Sequence, residues 1–176
     1  MSVTVIELRV LTPDDWRAWR QLRLAALAEA PYAFGSRLAD WQGDGDREER
    51  WRGRLELPGS HNLIAVLDGR PAGMASGVPD DRPAAEQGPD PAMELISMWI
   101  APEARGRGVA DLLIRAVAAW ALESGAAELR LSVANGNERA LALYHRHGFV
   151  DAGEPPQLMP DGVRYETVMA KPLLSD

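Results

Sequence analysis

The run Arg105-Gly106-Arg107-Gly108-Val109-Ala110 places two glycines and two arginines directly ahead of a helical pattern. Val109, Leu112, Leu113, Ala116, Val117, Trp120 and Ala121 recur every three or four residues, so they line one face of a helix. Before the loop, residues 95–100 form an apolar run suited to a buried strand. Strand, glycine loop and helix together can hold a phosphate. The first helical turn has free N–H groups and the positive end of the helix dipole. Gly106 and Gly108 carry no side chain to keep an anion from the backbone, and Arg105 and Arg107 add positive charge. The amides of Gly106, Arg107, Gly108, Val109, Ala110 and Asp111 are therefore candidate anion donors.

A second stretch, NERALALYHRHGF at 137–149, sets Asn137 and Tyr144 seven residues apart. That is two helical turns, so an amide and a phenol share one face. Glu94 opens the strand before the glycine loop, eleven residues ahead of Arg105. A carboxylate there is a candidate general base. Other chemistries find no support. His61, His145 and His147 do not make a metal set, and the last two point to different sides of a helix. No G-x-S-x-G elbow or Walker lysine is present, so neither a metal nor a nucleophilic serine is expected.

The two stretches, in this order and about thirty residues apart, resemble the GNAT N-acetyltransferases. RGRGVA is similar to that family's [Q/R]-x-x-G-x-[G/A] signature, and the second stretch to its N-x-x-A-x-x-L-Y-x-x-x-G-F segment. The resemblance is sharp over 94–149 and loose over 3–27 and 62–78. It implies acetyl-coenzyme A as cosubstrate and direct transfer of its acetyl group to a primary amine of a small molecule or peptide. The pyrophosphate would lie at Arg105 and on the amides from Gly106 to Asp111. The pantetheine arm would run along the edge of Met98, Trp99 and Ile100, in a cleft where that strand splays from its neighbour, with Asn137 also on the arm. Tyr144 would serve the departing thiolate. A thiol has a pKa near ~8.5 and a phenol near ~10, so hydrogen bonding rather than full proton transfer suits the tyrosine. Glu94 falls where some relatives place a general base. Others place a glutamate on the next strand, where this sequence has Ser132, which leaves a water chain without a single base open. The resemblance also admits a longer acyl group, a homodimer, or a non-catalytic acyl-coenzyme A sensor. A sensor would be free to lose Tyr144.

The chain has 176 residues, enough for one domain with a sizeable core. It contains no cysteine, which excludes a disulfide, a thiolate ligand and a cysteine nucleophile. Its formal charge of −7 argues against general nucleic-acid binding and against the glycine loop as a nucleic-acid module. No apolar stretch is long enough to span a membrane, and MSVTVIELRV lacks the marks of a signal peptide, so a cytoplasmic protein is expected.

The elements that must position these residues follow from pattern. Residues 3–10 alternate as a first strand. Thr12-Pro13-Asp14-Asp15 starts a helix, with Trp16, Trp19, Leu22, Ala26 and Leu27 as its core stripe to about Glu29. Residues 32–45 read as irregular, and Tyr32, Phe34 and Trp41 could shape an acceptor pocket or pack beneath the loop. A charged helix carrying Trp51 is predicted at 46–57. Strands at 61–67 and 71–78 flank an Asp68-Gly69 hairpin. Residues 79–91 are a polar, proline-rich surface loop. Strands at 128–133, 149–153 and 163–170 complete the set, and Asn135 with Glu138 fits a capping box for the last helix. With the resemblance, this predicts a mixed α/β fold: a mostly antiparallel sheet of six or seven strands flanked by about four helices.

Overall fold

The structure, a computed structural model, describes residues 5–34 and 36–173. Val3 and Thr4 of the predicted first strand, and the side chain of Tyr32, lie outside what it describes. Its strands are β1 Ile6–Val10, β2 His61–Leu67, β3 Arg70–Pro79, β4 Ala92–Ile100, β5 Glu128–Ala134, β6 Val150–Asp151, β7 Gln157–Leu158 and β8 Tyr165–Pro172. Its α-helices are α1 Trp16–Glu29, α2 Glu48–Leu55, α3 Val109–Glu123 and α4 Glu138–Arg146. The mixed architecture matches the expectation. The strand count among the described residues is eight rather than six or seven, because β7 is two residues long and shows no periodicity to read.

The sheet order is β1-β2-β3-β4-β5-β8-β6, with β7 also on β8. Every pairing is antiparallel except β4 with β5. That parallel pairing is short. It joins Ala92, Met93 and Glu94 to Glu128, Leu129 and Arg130, and then stops. Beyond it β4 continues on β3, and β5 continues on β8 as far as Ala134. The two strands therefore part in mid-sheet and leave backbone donors and acceptors facing a gap. Ser132 shows the consequence: it is solvent-exposed although its strand has a neighbour on each side.

A bulge helps to turn β4. Its register on β3 shifts between Met74 and Ser76, and Ser97 takes a left-handed φ of 56°. An extra residue bends a strand and strengthens its twist. The hairpin between β2 and β3 follows from Asp68 and Gly69, both at positive φ.

Each face of the sheet covers a core. On one, α3 sets Val109, Leu113, Ile114, Val117 and Ala121 against Leu63, Ala75, Leu95, Leu129 and Leu131. On the other, α1 and α2 bring Trp19, Leu22, Trp51 and Leu55 onto Ile64, Met74 and Trp99. Trp19 and Trp51 are fully buried, as core packing requires. Asp46 holds the two helices together, accepting bonds from Arg20 at 2.7 and 2.6 Å and from Trp51 Nε1 at 2.8 Å.

One predicted cap moves. Asn137, not Asn135, caps α4, its Oδ1 accepting from the Ala140 N–H at 3.3 Å. Asn135 is occupied elsewhere, accepting a 2.6 Å bond from Thr167 of β8. Gly136 turns the chain between them at a φ of 91°.

Candidate active site

The glycine loop ends at the start of α3. Gly106 and Gly108 have φ values of 78° and 85°, a region that side chains disfavour, and Gly108 is the N-cap of the helix. A Cβ built on either glycine would meet no atom within 4 Å. These positions face open space, so packing does not explain the glycines. The Leu112 N–H bonds the Gly108 carbonyl at 3.2 Å, which leaves the amides of Val109, Ala110 and Asp111 without partners inside the helix. They point at the cleft with the positive end of a fifteen-residue dipole behind them.

Arg105 sits differently from the free charge its type suggests. Its Nε donates to the Ile100 carbonyl at 3.1 Å and its Nη2 to both oxygens of Glu29 at 3.1 Å. Glu29 also accepts from Trp99 Nε1 at 3.0 Å. The end of α1 thus clamps the end of β4 and the start of the loop. These bonds, Trp99 first and Arg105 after it, hold the Glu29 carboxyl below the usual range. Arg107 is exposed and does not line the cleft. The Asp111 carboxylate turns instead to α4, accepting from Arg146 at 2.6 Å and lying 2.5 Å from His147 Nε2. Arg146, then His147, holds it below the usual carboxylate range.

From this loop a cleft of about 730 Å³ runs between β4 and α4. Met98, Trp99 and Ile100 line one side, with Gly106, Gly108, Val109, Ala110 and Asp111 at one end. Asn137, Arg139, Leu143, Tyr144 and Arg146 line the other side. Tyr144 is buried, packs edge-on against Phe149 at 5.8 Å, and its hydroxyl has no hydrogen-bond partner among the described residues. Burial pushes the phenol up to about 12.

A second cavity of about 350 Å³ adjoins the first, and Ala33 and Phe34 line both. Its wall includes Glu94, Ser97, Ser132, Glu166, Trp41, Arg23 and Arg54. Glu94 has no hydrogen-bond donor among the described residues. Burial, then the carboxylates of Asp81, Asp80 and Glu166, push its carboxyl up to about 7, against the pull of Arg130. The loop after β3 delivers Asp80 and Asp81, and Arg82 ties that loop to Asp80 at 2.6 Å and to Glu154 at 3.3 Å.

The structure therefore gathers Met98, Trp99, Ile100, Arg105, Gly106, Gly108, Val109, Ala110, Asp111, Asn137 and Tyr144 on one cleft, and puts Glu94 in the cavity joined to it. Arg107 stands apart. Arg139 and Arg146 were missed, although seven residues separate them, the same two-turn signal that paired Asn137 with Tyr144. Arg23 also left a trace: it falls four residues from both Trp19 and Leu27, on the apolar side of α1. Glu166 left none, since only the β5–β8 pairing brings it to the cavity.

The chain is similar to known proteins in sequence and in fold. Thialysine N-epsilon-acetyltransferase from Bos taurus is 40% identical over 60 residues, 34% of this chain and 35% of that protein. The Sus scrofa counterpart is 37% identical over the same length, so the chain matches about a third of these relatives. A GCN5-related N-acetyltransferase from Kribbella flavida superposes with a TM-score of 0.71 at 26% identity, covering 96% of this chain and 98% of that one. The protein yncA of Salmonella typhimurium, solved with its cofactor acetyl-CoA, superposes with a TM-score of 0.75 at 20% identity, covering 98% and 96%. The sequence profile of the Acetyltransferase (GNAT) family matches residues 16–149, both motifs included, and the chain belongs to that family.

Proposed function

We propose that the protein is a single-domain, acetyl-coenzyme A-dependent N-acetyltransferase that acetylates a primary amine by direct attack. The observation that carries this reading is the parting of β4 and β5. It opens one cleft that leads from the glycine loop past Tyr144 and meets the cavity of Glu94 at Ala33 and Phe34. The names of the bovine and porcine relatives put their acetyl group on an ε-nitrogen, which supports an amine acceptor here.

The residues present fit acetyl-coenzyme A. Open space stands over Gly106 and Gly108, where a phosphate needs the backbone bare, and free amides of α3 face it. Arg139 and Arg146 add charge for phosphates at the cleft rim. The unpaired edge of Met98, Trp99 and Ile100 suits an extended amide-bearing arm, which can bond it as another strand would. The Asn137 side-chain oxygen is committed to its cap, so its amide N–H₂ is the group left for the arm. Bound there, the thioester supplies the activated acetyl group.

Glu94 takes the proton from the acceptor's ammonium, directly or through water. A carboxyl held near 7 suits that task at neutral pH, where it is partly ionised and still basic. Ser132 occupies the neighbouring wall and supplies no second base. The Tyr144 hydroxyl donates a hydrogen bond at the departing sulfur. With its phenol near 12, giving up the proton to a thiolate near ~8.5 is uphill by more than three decades, so the tyrosine keeps it; the C–S bond breaks to release the coenzyme A thiolate, which takes up through solvent the proton the nitrogen sheds as the amide forms. No cysteine is present to carry the acetyl group as a thioester.

The test is incubation with acetyl-coenzyme A and a panel of primary amines, with release of free thiol as the readout. Amine-dependent release is expected. Tight binding of acetyl-coenzyme A without release under any amine would replace this reading with that of a sensor.

A further inference from the structure

The cavity beside Glu94 contains a charge arrangement that amine acetylation alone does not need. Arg23 of α1 and Arg54 of α2 both line it. Arg23 lies over the Phe34 ring at 4.8 Å, and its Nη1 is buried with no hydrogen-bond partner. Arg54 lies over Trp19 at 4.9 Å and donates only to neutral groups: Asn62 Oδ1 at 2.9 Å, Ser76 Oγ at 3.1 Å and Ser97 Oγ at 3.2 Å. Neither forms an ion pair among the described residues, in a chain whose net charge is −7. Burial lowers both guanidinium values to about 10, and for Arg54 the charge of Arg23 adds to the effect.

Two half-buried cations without a counter-ion are costly. Such a cost is met when a ligand supplies the missing anion. The cavity's other charges make the arrangement directional. Glu94 and Glu166 lie on its strand wall, while the arginines come from the helical side. One cavity thus offers an acidic side to a cation and a basic side to an anion. At about 350 Å³ it sits at the small end of ligand pockets, which run from about 300 to 1,000 Å³. That size favours a free small molecule over a polypeptide.

Resting on the acetyltransferase reading, we propose that the acceptor is a small amine that also carries a carboxylate, its carboxylate on Arg23 and Arg54 and its amine toward Glu94. Arg23, which lines the cavity and has no hydrogen bond or ion pair among the described residues, is the principal specificity residue. Arg54 contributes charge and, through Ser97, holds the bulge of β4 against the cavity. A guanidinium can meet a carboxylate with two parallel bonds.

The test uses matched acceptors: α- and ω-amino acids of increasing chain length, each against its own carboxamide. Turnover is measured by thiol release, and binding by calorimetry in the presence of coenzyme A. At the preferred length, kcat/KM for the acid should exceed that for the amide by at least about tenfold, mainly through KM. Arg23→Gln should erase most of that preference, and Arg23→Lys should restore part of it. Unaltered binding of acetyl-coenzyme A certifies that each variant is folded. Turnover of acids and amides at equal efficiency overturns the carboxylate proposal and leaves the acetyltransferase reading standing. A binding preference for acids that Arg23→Gln abolishes, without turnover, supports the anion site and overturns the acetyltransferase reading. Absence of any acid preference in both turnover and binding overturns the proposal.

Discussion

Glu94 and Tyr144 owe their properties to burial, in opposite senses for reactivity. Burial makes the carboxyl a better base and the phenol a weaker acid. For the parent, kcat/KM should rise as pH increases through about 7, as Glu94 loses its proton. In Glu94→Gln that limb should vanish and leave only the acceptor's own titration, with a loss near neutral pH of about 10²–10⁴-fold. The same residue predicts a stability effect. A carboxyl whose folded value is raised binds its proton more tightly in the folded state. Its favourable contribution is complete below about 4.5 and is lost as pH rises through about 7. Glu94→Gln should therefore be more stable than the parent at pH 8, by at most about 3 kcal/mol, in urea melts. A variant less stable than the parent there would show that Glu94 is ion-paired. Tyr144→Phe should keep coenzyme binding, since the ring still packs on Phe149, while lowering turnover. These two positions were legible through the family resemblance; spacing alone showed only that Tyr144 shares a helix face with Asn137 and that Glu94 opens the strand before the loop. Arg54 and Glu166 were not, because a charge on a helix or strand shows its partners only after the sheet brings them together.

At the scale of elements, the proposed anion site is built from the backbone of the loop and helix, and side chains mainly brace it. Gly108→Val forces a branched residue into a left-handed conformation and fills the open space before α3. Arg107→Ala removes only an exposed charge. Calorimetry should show a large loss of acetyl-coenzyme A affinity for the first and a small one for the second, and equal losses would contradict a backbone-built site. Glu29→Ala, which releases both Trp99 and Arg105, should weaken binding about fivefold, the worth of a part-exposed ion pair of about 1 kcal/mol. Sequence periodicity found α1, α2, α3 and α4 with small errors at their ends. It misplaced the cap of α4 because Asn135 and Asn137 are chemically equivalent candidates. Only the Thr167 bond from β8 decides between them.

At the scale of the whole molecule, one sheet with a core on each face holds the gap between β4 and β5 open. No helix among the described residues is long and apolar enough to cross a membrane. Leu113 of α3 is fully buried against the sheet, so Leu113→Ala should cost about 2–5 kcal/mol in urea unfolding. The strand order was not legible from alternation, which gives faces but not neighbours. The splay in particular came from resemblance. In physical terms it is visible only as a parallel pairing that ends at Glu94 and Arg130.

The central claim is that donor and acceptor occupy one continuous cleft and that the amine attacks directly. Initial velocities over a grid of acetyl-coenzyme A and acceptor concentrations test it most directly. The account predicts intersecting double-reciprocal lines, the mark of a ternary complex, and no acetylated protein when acceptor is omitted. Parallel lines, together with an isolable acetyl-protein, would contradict it.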